Sequence, residues 1–276
     1  MNRLLICAAA AIIFGSCAGS TPEGMLLVKG GKFRNANSNY YDTGIEIPDF
    51  YIGIYEVTQD EWTKVMGSDP SVFKGDGLPV DSVNWYEAVE YCNKRSENEG
   101  LEPYYGIDKD AEDPANTNER DDMKWTVTIH KGANGYRLPS ETEWEYAAGG
   151  GRKSRSYIYS GGNEIDRTSW YWKNSGDTEP PGAWNWKKIE NNNNRTHPVG
   201  SKKPNELGLY DMSGNVREWC WEWYTDPGNA NTPTEFRVWK GGGWLGGAQS
   251  CETSHRSSFD PNAKSGDQGF RICRNK

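Results

Sequence analysis

The sequence predicts an α+β fold with a large share of irregular structure. Three observations support this class: three helix starts, several short strand patterns, and a composition rich in aromatic residues and turn formers. The chain of 276 residues holds 13 Trp and 15 Tyr, which supply large buried surfaces with polar handles. Its 32 Gly and 14 Pro imply many turns and few long helices. A chain of this length can bury a substantial core.

Three short helices are predicted by capping boxes, in which a polar residue is followed three positions later by Glu. The pairs are Thr58 and Glu61, Asn84 and Glu87, and Ser140 and Glu143. Apolar residues follow each pair at helical spacing, and Gly67, Gly100 and Gly149 end the three patterns.

Short strands are predicted where apolar and polar residues alternate, or where β-branched and aromatic residues cluster. These segments are 25–33, 50–56, 125–129, 237–244 and 269–273. Between the last two lie about two dozen residues dominated by Gly, Ser, Asp and Asn, a composition that cannot build a core of its own. That stretch is therefore either a connecting loop without a function of its own or a functional site.

The charge balance argues against one class of partner. The formal net charge is -8, which disfavours nucleic acid or anionic lipid as an electrostatic partner. Acidic residues concentrate over 97–122 among Pro, Asn and Gly. This pattern is typical of a solvated insertion loop, and its spacing matches no metal-ligand pattern.

The N-terminus predicts a targeting segment. Arg3 precedes an apolar run over 4–14 that is too short to span a bilayer, and Cys17 follows two small residues. This pattern resembles a bacterial lipoprotein signal, which implies a signal peptide at 1–16, lipidation at Cys17 and a lipidated tether at 17–24. We then expect an exported protein anchored to the bacterial envelope, at the outer-membrane surface. An ordinary secretory signal is the alternative.

Four cysteines follow the lipidated tether. They are Cys92, Cys220, Cys251 and Cys273. Export makes disulfides available to them, and four cysteines allow three pairings. Buried free thiols are the alternative, and no spacing among them suits zinc.

Six motifs occur in a fixed order along the chain. They are Gly30-Gly31-x-Phe33, Tyr55-Glu-Val-Thr58, Pro79-Val80 with Asn84-Trp85, Tyr136-Arg-Leu-Pro-Ser140-Glu-Thr-Glu-Trp-Glu-Tyr146, Asn205-Glu-Leu-Gly-Leu-Tyr-Asp-Met-Ser-Gly-Asn-Val-Arg-Glu-Trp219 and Gly269-Phe-Arg271. Together they resemble the formylglycine-generating (sulfatase-modifying) family, from about residue 25 to residue 274. The resemblance implies one domain over 25–276 with a variant of the C-type lectin fold, whose C-terminal segment forms the ligand face.

The same resemblance implies a structural calcium ion. The matching ligands are the carboxylates of Asp211 and Glu218 and the backbone carbonyls of Gly214 and Val216. Oxygen ligands at this density suit Ca²⁺, a hard cation, and do not suit zinc. The alternative is that Asp211 and Glu218 cap a turn and pair with Arg217 or a lysine.

The enzymes of that family oxidise a substrate cysteine with two cysteines of their own. Alignment of 241–244 with the family places these positions at Gly246 and Cys251. One thiol of the pair is therefore missing, and a single thiol cannot carry out the exchange of the pair. Gly243 also stands where the family has an oxygen-binding Ser. We therefore expect no enzymatic activity.

The C-terminal segment, about 237–273, also resembles the variable proteins of diversity-generating retroelements. Residues that match their fixed positions, called frame residues below, are Trp244, Ala248, Gln249, Cys251, Arg256, Pro261 and 269–273. Residues that match positions replaced by such elements, called replaceable positions below, are Leu245, Gly246, Gly247, Ser250, His255, Ser257, Ser258, Phe259, Asp260, Ala263, Ser265, Gly266 and Asp267. All of these are reachable from the adenine-rich codons that such elements mutate.

These expectations combine into one functional hypothesis. The protein is a surface-displayed, non-catalytic binding protein, and its C-terminal segment recognises a protein or glycan on another cell or a phage. Loops on a rigid scaffold are where binding specificity usually resides. Two alternatives stay open: a formylglycine-generating type oxidase that uses Cys251, and a structural or accessory lipoprotein of the envelope.

Overall fold

The computed structural model describes residues 21–226 and 234–276. The predicted signal peptide at 1–16 and the predicted lipidation site Cys17 lie outside the described residues. Within the described ranges, no helix combines the length and the apolar character needed to cross a membrane.

The three predicted helices are confirmed, and each capping box is formed in both directions, from the N-cap side chain and from the Glu side chain. Two further short helices occur in the loop-rich middle of the chain. The helices of the described residues are α1 (Gln59–Met66), α2 (Trp85–Asn98), α3 (Glu141–Ala148), α4 (Ile165–Thr168) and α5 (Trp186–Glu190).

The strands of the described residues are short and form two sheets of four strands and two of two strands. They are β1 (Met25–Val28), β2 (Gly31–Lys32), β3 (Glu46–Ile47), β4 (Phe50–Gly53), β5 (Tyr105–Glu112), β6 (Trp125–Ile129), β7 (Tyr136–Arg137), β8 (Arg217–Trp223), β9 (Arg237–Lys240), β10 (Ser257–Phe259), β11 (Gln268–Gly269) and β12 (Cys273–Asn275). The first sheet has the order β1-β4-β12-β7 and the second has the order β10-β9-β8-β11. Strands β2 and β3 pair, as do β5 and β6.

Strand β5 corrects the prediction of a solvated loop over 97–122. Its residues 108–112 are exposed and do not alternate between apolar and polar, so no strand pattern marks them. The strand exists because it pairs with β6 in antiparallel register, from Tyr105 opposite Ile129 to Glu112 opposite Trp125. Tertiary pairing overrides weak local preference here.

The C-terminal strands fix both ends of the segment between β9 and β12. Strand β9 lies between β10 and β8 in the second sheet, and β12 lies between β4 and β7 in the first. On the way, β11 pairs with β8 in parallel, with Gln268 opposite Arg217. The segment therefore starts in the second sheet, pairs along both of its edges as β10 and β11, and ends inside the first sheet as β12.

Aromatic side chains fill the core between the helices and the sheets. Trp85, Trp144 and Trp219 are fully buried. Each of the three indole N–H groups donates to an acceptor 2.6 to 3.0 Å away, so their burial leaves no polar group unpaired. Truncating a buried Trp typically costs about 3–5 kcal/mol of unfolding free energy.

Helix α3 carries glutamates at alternate positions, and each pairs with a basic residue from a different part of the chain. The pairs are Glu141 with Arg256, Glu143 with Arg137 and Glu145 with Lys240, each at 2.7 Å. Arg256 lies in the C-terminal segment, Arg137 in β7 and Lys240 in β9. One helix thus joins both four-stranded sheets and the segment between them.

The four cysteines of the described chain are free and buried. The alternative of buried thiols therefore holds in place of disulfides. Burial raises the pKa of the Cys251 thiol to about 12, so this thiol is protonated at neutral pH and is a weak nucleophile.

Candidate ligand-binding site

The C-terminal segment leaves β9 through a tight turn, and its part over 244–269 is called the segment below. Gly241 and Gly242 have φ values of 87° and 69°, a left-handed conformation that side chains rarely adopt. Trp244 then closes the segment on itself, because its indole N–H donates to the carbonyl of Gly266 at 2.7 Å. Its ring packs edge-on against Phe73 with centroids 5.4 Å apart.

Main-chain carbonyls tie the segment to the scaffold at intervals along its length. The carbonyls of Gly246, Cys251, Pro261, Ser265 and Asp267 accept hydrogen bonds from Trp172 N, Ser213 Oγ, Trp85 N, Ser82 N and Arg217 N. These bonds use only backbone atoms of the segment. They are therefore independent of the side chains that the segment carries.

Most frame residues are more deeply buried than the replaceable positions, although Ala248 is partly exposed and Gln249 is exposed. The frame residues Trp244, Cys251, Pro261 and Phe270 are buried. Arg256 is partly exposed but is held by two hydrogen bonds to the Glu141 carboxylate, at 2.7 and 2.9 Å.

The replaceable positions are partly exposed, with Asp267 as the one buried exception. The Asp267 carboxylate accepts from Arg217 Nη2 at 2.7 Å and from Ser265 Oγ at 2.6 Å. Asp267 thus holds Arg217 and Ser265 in place and also lines the site.

The glycines of the segment differ in the space that a side chain would have. A Cβ added at the replaceable Gly247 meets nothing within 4 Å, and one at Gly266 meets Val72 at an ordinary 3.4 Å. At Gly246 the nearest atom is Ser250 Oγ at 2.5 Å, and Ser250 is itself replaceable. In contrast, a Cβ at the frame residue Gly269 lies 2.5 Å from the backbone oxygen of Val80, which cannot move away cheaply.

A cleft of about 340 Å³ opens among the replaceable positions. Its lining comprises Trp184, Arg217, Trp239, Gly243, Leu245, Gly246, Gly247, Ser250 and Asp267. The guanidinium carbon of Arg217 lies 5.1 Å from the ring centre of Trp239 and 4.9 Å from that of Phe259. The His255 ring lies 5.6 Å from Trp239, so replaceable positions distant in sequence meet around Arg217 and Trp239.

The remaining replaceable positions lie along the outer course of the segment. Ser257 and Ser258 stand on β10, at the edge of the second sheet. Asp260 caps the turn that follows, since its carboxylate accepts from Asn262 N at 2.9 Å, and its carbonyl accepts from Ala263 N at 3.0 Å.

Three residues of the cleft were not predicted to belong to a ligand site. Trp184 reaches it from the loop before α5, Arg217 from β8 and Trp239 from β9. The only signal for Trp184 was the aromatic richness of its loop. Nothing in the local sequence separates Arg217 and Trp239 from other strand residues, because their role depends on which strands are neighbours.

One of the predicted calcium ligands, Glu218, forms a buried ion pair with Arg271. Both Glu218 oxygens are engaged at 2.6 Å: Oε1 by Arg271 Nη2, and Oε2 by Arg271 Nε and Trp144 Nε1. Asp211 accepts from Gly200 N at 2.6 Å, and burial raises the pKa of its carboxyl to about 6.

A calcium ion takes six or more oxygen ligands, which include backbone carbonyls and water as well as carboxylates. Among the described residues, no three or more of His, Cys, Asp and Glu are grouped to hold a metal. Calcium at Asp211, Gly214, Val216 and Glu218 therefore stays a prediction.

Fold and site together define a C-type-lectin-like α+β domain of the formylglycine-generating type, with a loop segment that forms a surface cleft. The chain belongs to the family of the sulfatase-modifying factor enzyme 1-like domain, whose model matches residues 12–276. It is 53% identical over 276 residues to the chaperone protein LppX of Paenibacillus barcinonensis, covering 99% of this chain and 98% of that protein.

Two further similarities are to an enzyme of the formylglycine-generating type and to a variable protein. The formylglycine-generating enzyme of Streptomyces coelicolor is 35% identical over 161 residues, which are 50% of this chain and 46% of that enzyme. The structure of Treponema denticola variable protein 1 superposes with a TM-score of 0.68 at 32% identity, covering 90% of this chain and 95% of that one.

A pH-dependent stability is expected from Asp81, which supports the end of the segment near Gly266. Its buried carboxylate accepts from Val72 N and Ser82 Oγ, and burial raises the pKa to about 6 from the ordinary 3.8. The folded state therefore holds a proton that the unfolded state releases, so stability falls as pH rises from about 4 to about 6. Asp81→Asn should raise the melting temperature more at about pH 7.5 than at about pH 5. An equal shift at both pH values would contradict this.

Chelation tests the role of Glu218. If Arg271 and Trp144 satisfy this carboxylate, EDTA should leave the melting temperature of the protein unchanged. A fall on chelation that disappears in Glu218→Ala would instead support calcium at this position. Addition of excess Ca²⁺ after chelation serves as the control, because it restores only a loss caused by metal removal.

Proposed function

We propose that this protein is a lipid-anchored binding protein, exported to the bacterial envelope through the signal at 1–16 and Cys17. Its single domain over 25–276 presents the replaceable positions to a protein or glycan on another cell or a phage. One observation carries the proposal: the segment is fixed by hydrogen bonds of its backbone and by mostly buried frame residues, while five of its replaceable positions line an open cleft. The resemblance of the whole chain to a variable protein supports it.

Two features argue against an oxidase at the same segment. The position of the first catalytic cysteine is Gly246, and the second is Cys251, which is fully buried with a thiol pKa raised to about 12. A thiol that attacks or exchanges needs both access and a thiolate. We therefore propose that the segment binds and does no redox chemistry.

A second candidate is an accessory role in the envelope. It is favoured by the full-length relative at 53% identity, which is named a chaperone protein. In that case the segment would contact one constant partner, and its side chains would have no reason to vary.

The sequence of this locus in several isolates distinguishes the two candidates. Display of a diversified site predicts substitutions concentrated at the replaceable positions, with the frame residues and the scaffold constant. Identity throughout the segment would contradict display and favour the accessory role. Substitutions spread evenly over the chain would contradict both.

Tolerance to substitution at two glycines tests the physical basis of display. Gly247→Ala should change the unfolding free energy by less than about 0.5 kcal/mol, because the added Cβ meets nothing within 4 Å. The matched variant Gly269→Ala should destabilise the protein by about 1–3 kcal/mol, since its methyl group meets the Val80 carbonyl. Denaturant unfolding measures both. A larger loss at Gly247 than at Gly269 would refute the division into frame and replaceable positions.

A further inference from the structure

Part of the cleft is built by residues that diversification leaves unchanged. Trp184, Arg217 and Trp239 line it but lie outside the segment over 244–269. We propose that these three residues form a constant subsite that takes an apolar side chain of a protein partner, together with the carbonyl beside it. This inference rests on the proposed binding function and deepens it by naming the class of ligand.

Trp184 supplies a rigid apolar wall. Its side chain is 49% exposed, yet it is not free to move, because its indole N–H donates to the Leu245 carbonyl at 2.8 Å. The hydrogen bond uses a backbone atom of the segment, so it persists when the residue at 245 changes. A large aromatic surface held in place and left in water gains free energy when an apolar group covers it.

Two buried donors at the cleft have no acceptor. They are Trp239 Nε1 and Arg217 Nε. Both atoms are closed off from solvent, so an acceptor bound in the cleft reaches them only when these side chains shift, and it then recovers the free energy that an unpaired buried N–H costs. The charge of Arg217 is already balanced, since Nη2 pairs with the Asp267 carboxylate at 2.7 Å. The free donors therefore favour a neutral acceptor such as a peptide carbonyl over a second carboxylate.

The polar groups of the cleft favour a peptide over a sugar. Ser250 Oγ donates to the Gly247 carbonyl, and Asp267 Oδ1 accepts from both Arg217 and Ser265. Few side-chain groups remain for the hydroxyls of a sugar, each of which donates and accepts. A peptide group with an apolar side chain needs mainly the aromatic walls and a donor for its carbonyl, and a cleft of about 340 Å³ accommodates it.

The experiment uses N-acetyl-phenylalaninamide as the peptide probe and methyl β-galactoside as the sugar probe, on the full mature chain. Indole N–H resonances are followed by NMR during titration. We expect the peptide probe to bind weakly and to shift the indole signals of Trp184 and Trp239. Trp184→Ala should weaken this binding by about fivefold or more. Trp186→Ala is the matched control, since Trp186 is 50% exposed but lines no part of this cleft.

Each other outcome overturns the subsite. Binding of the sugar probe alone, with loss in Trp184→Ala, would assign the cleft to a glycan. Equal loss in Trp184→Ala and Trp186→Ala, or no binding of either probe, would remove Trp184 from the site.

Trp184→Phe keeps an apolar ring and should retain most of the binding, which separates lost contact from altered folding. Failure here leaves the display function intact, because the comparison of isolates does not depend on Trp184.

Discussion

The glutamates of α3 are the constraint on which the rest of the structure depends. Glu143 holds β7 through Arg137, Glu145 holds β9 through Lys240, and Glu141 holds the C-terminal segment through Arg256. Lys240 and Glu145 are almost wholly removed from solvent, at 0% and 1% exposure. Removal of one partner of such a buried pair leaves an uncompensated charge and costs about 3–5 kcal/mol. These contacts set the position of the segment without using any of its replaceable side chains.

This arrangement separates stability from recognition within one stretch of chain. Backbone carbonyls, the turn at Gly241 and Gly242, and the hydrogen bond from Trp244 to Gly266 hold the course of the segment. Because none of these contacts requires a particular residue at 245, 247 or 258, substitutions there have few native contacts to lose. The low content of apolar residues in the segment follows from the same separation, since the core lies elsewhere.

The sequence predicted those parts of the fold that depend on local rules. Capping boxes located α1, α2 and α3 because a cap and its glutamate are neighbours in the chain. Strand β5 was missed because its exposed residues carry no period, and only pairing with β6 makes them a strand. The general position of the site came from composition and from family motifs. Arg217, Trp239 and Trp184 could not be predicted, because they join the site through sheet order and a distant loop.

The ion pair at Glu218 is a second contact between distant parts of the chain that local sequence rules do not predict. A motif identifies which oxygen atoms lie close together, but it does not say which cation they face. In the structure the Glu218 carboxylate pairs with the guanidinium of Arg271 from the C-terminal Gly-Phe-Arg motif, and Arg271 also donates to the Gly53 and Tyr210 carbonyls at 3.0 Å. The contact joins the last two of the six motifs, and it places the end of the segment against the core.

Replaceable positions that touch cannot vary independently. A Cβ at position 246 would lie 2.5 Å from Ser250 Oγ, so the residues at these two positions must be compatible in size or rotamer. The residues at 265 and 267 are coupled as well, because Ser265 Oγ donates a hydrogen bond to Asp267 Oδ1, which also accepts from Arg217 Nη2. Gly247, with open space around it, carries no such restriction. Neighbouring sites generally depart from additivity, whereas distant ones do not. Under the proposed display function, the number of different surfaces that the cleft can present is therefore smaller than the product of the choices at each position. Variation is least restricted at Gly247 and most restricted beside Arg217.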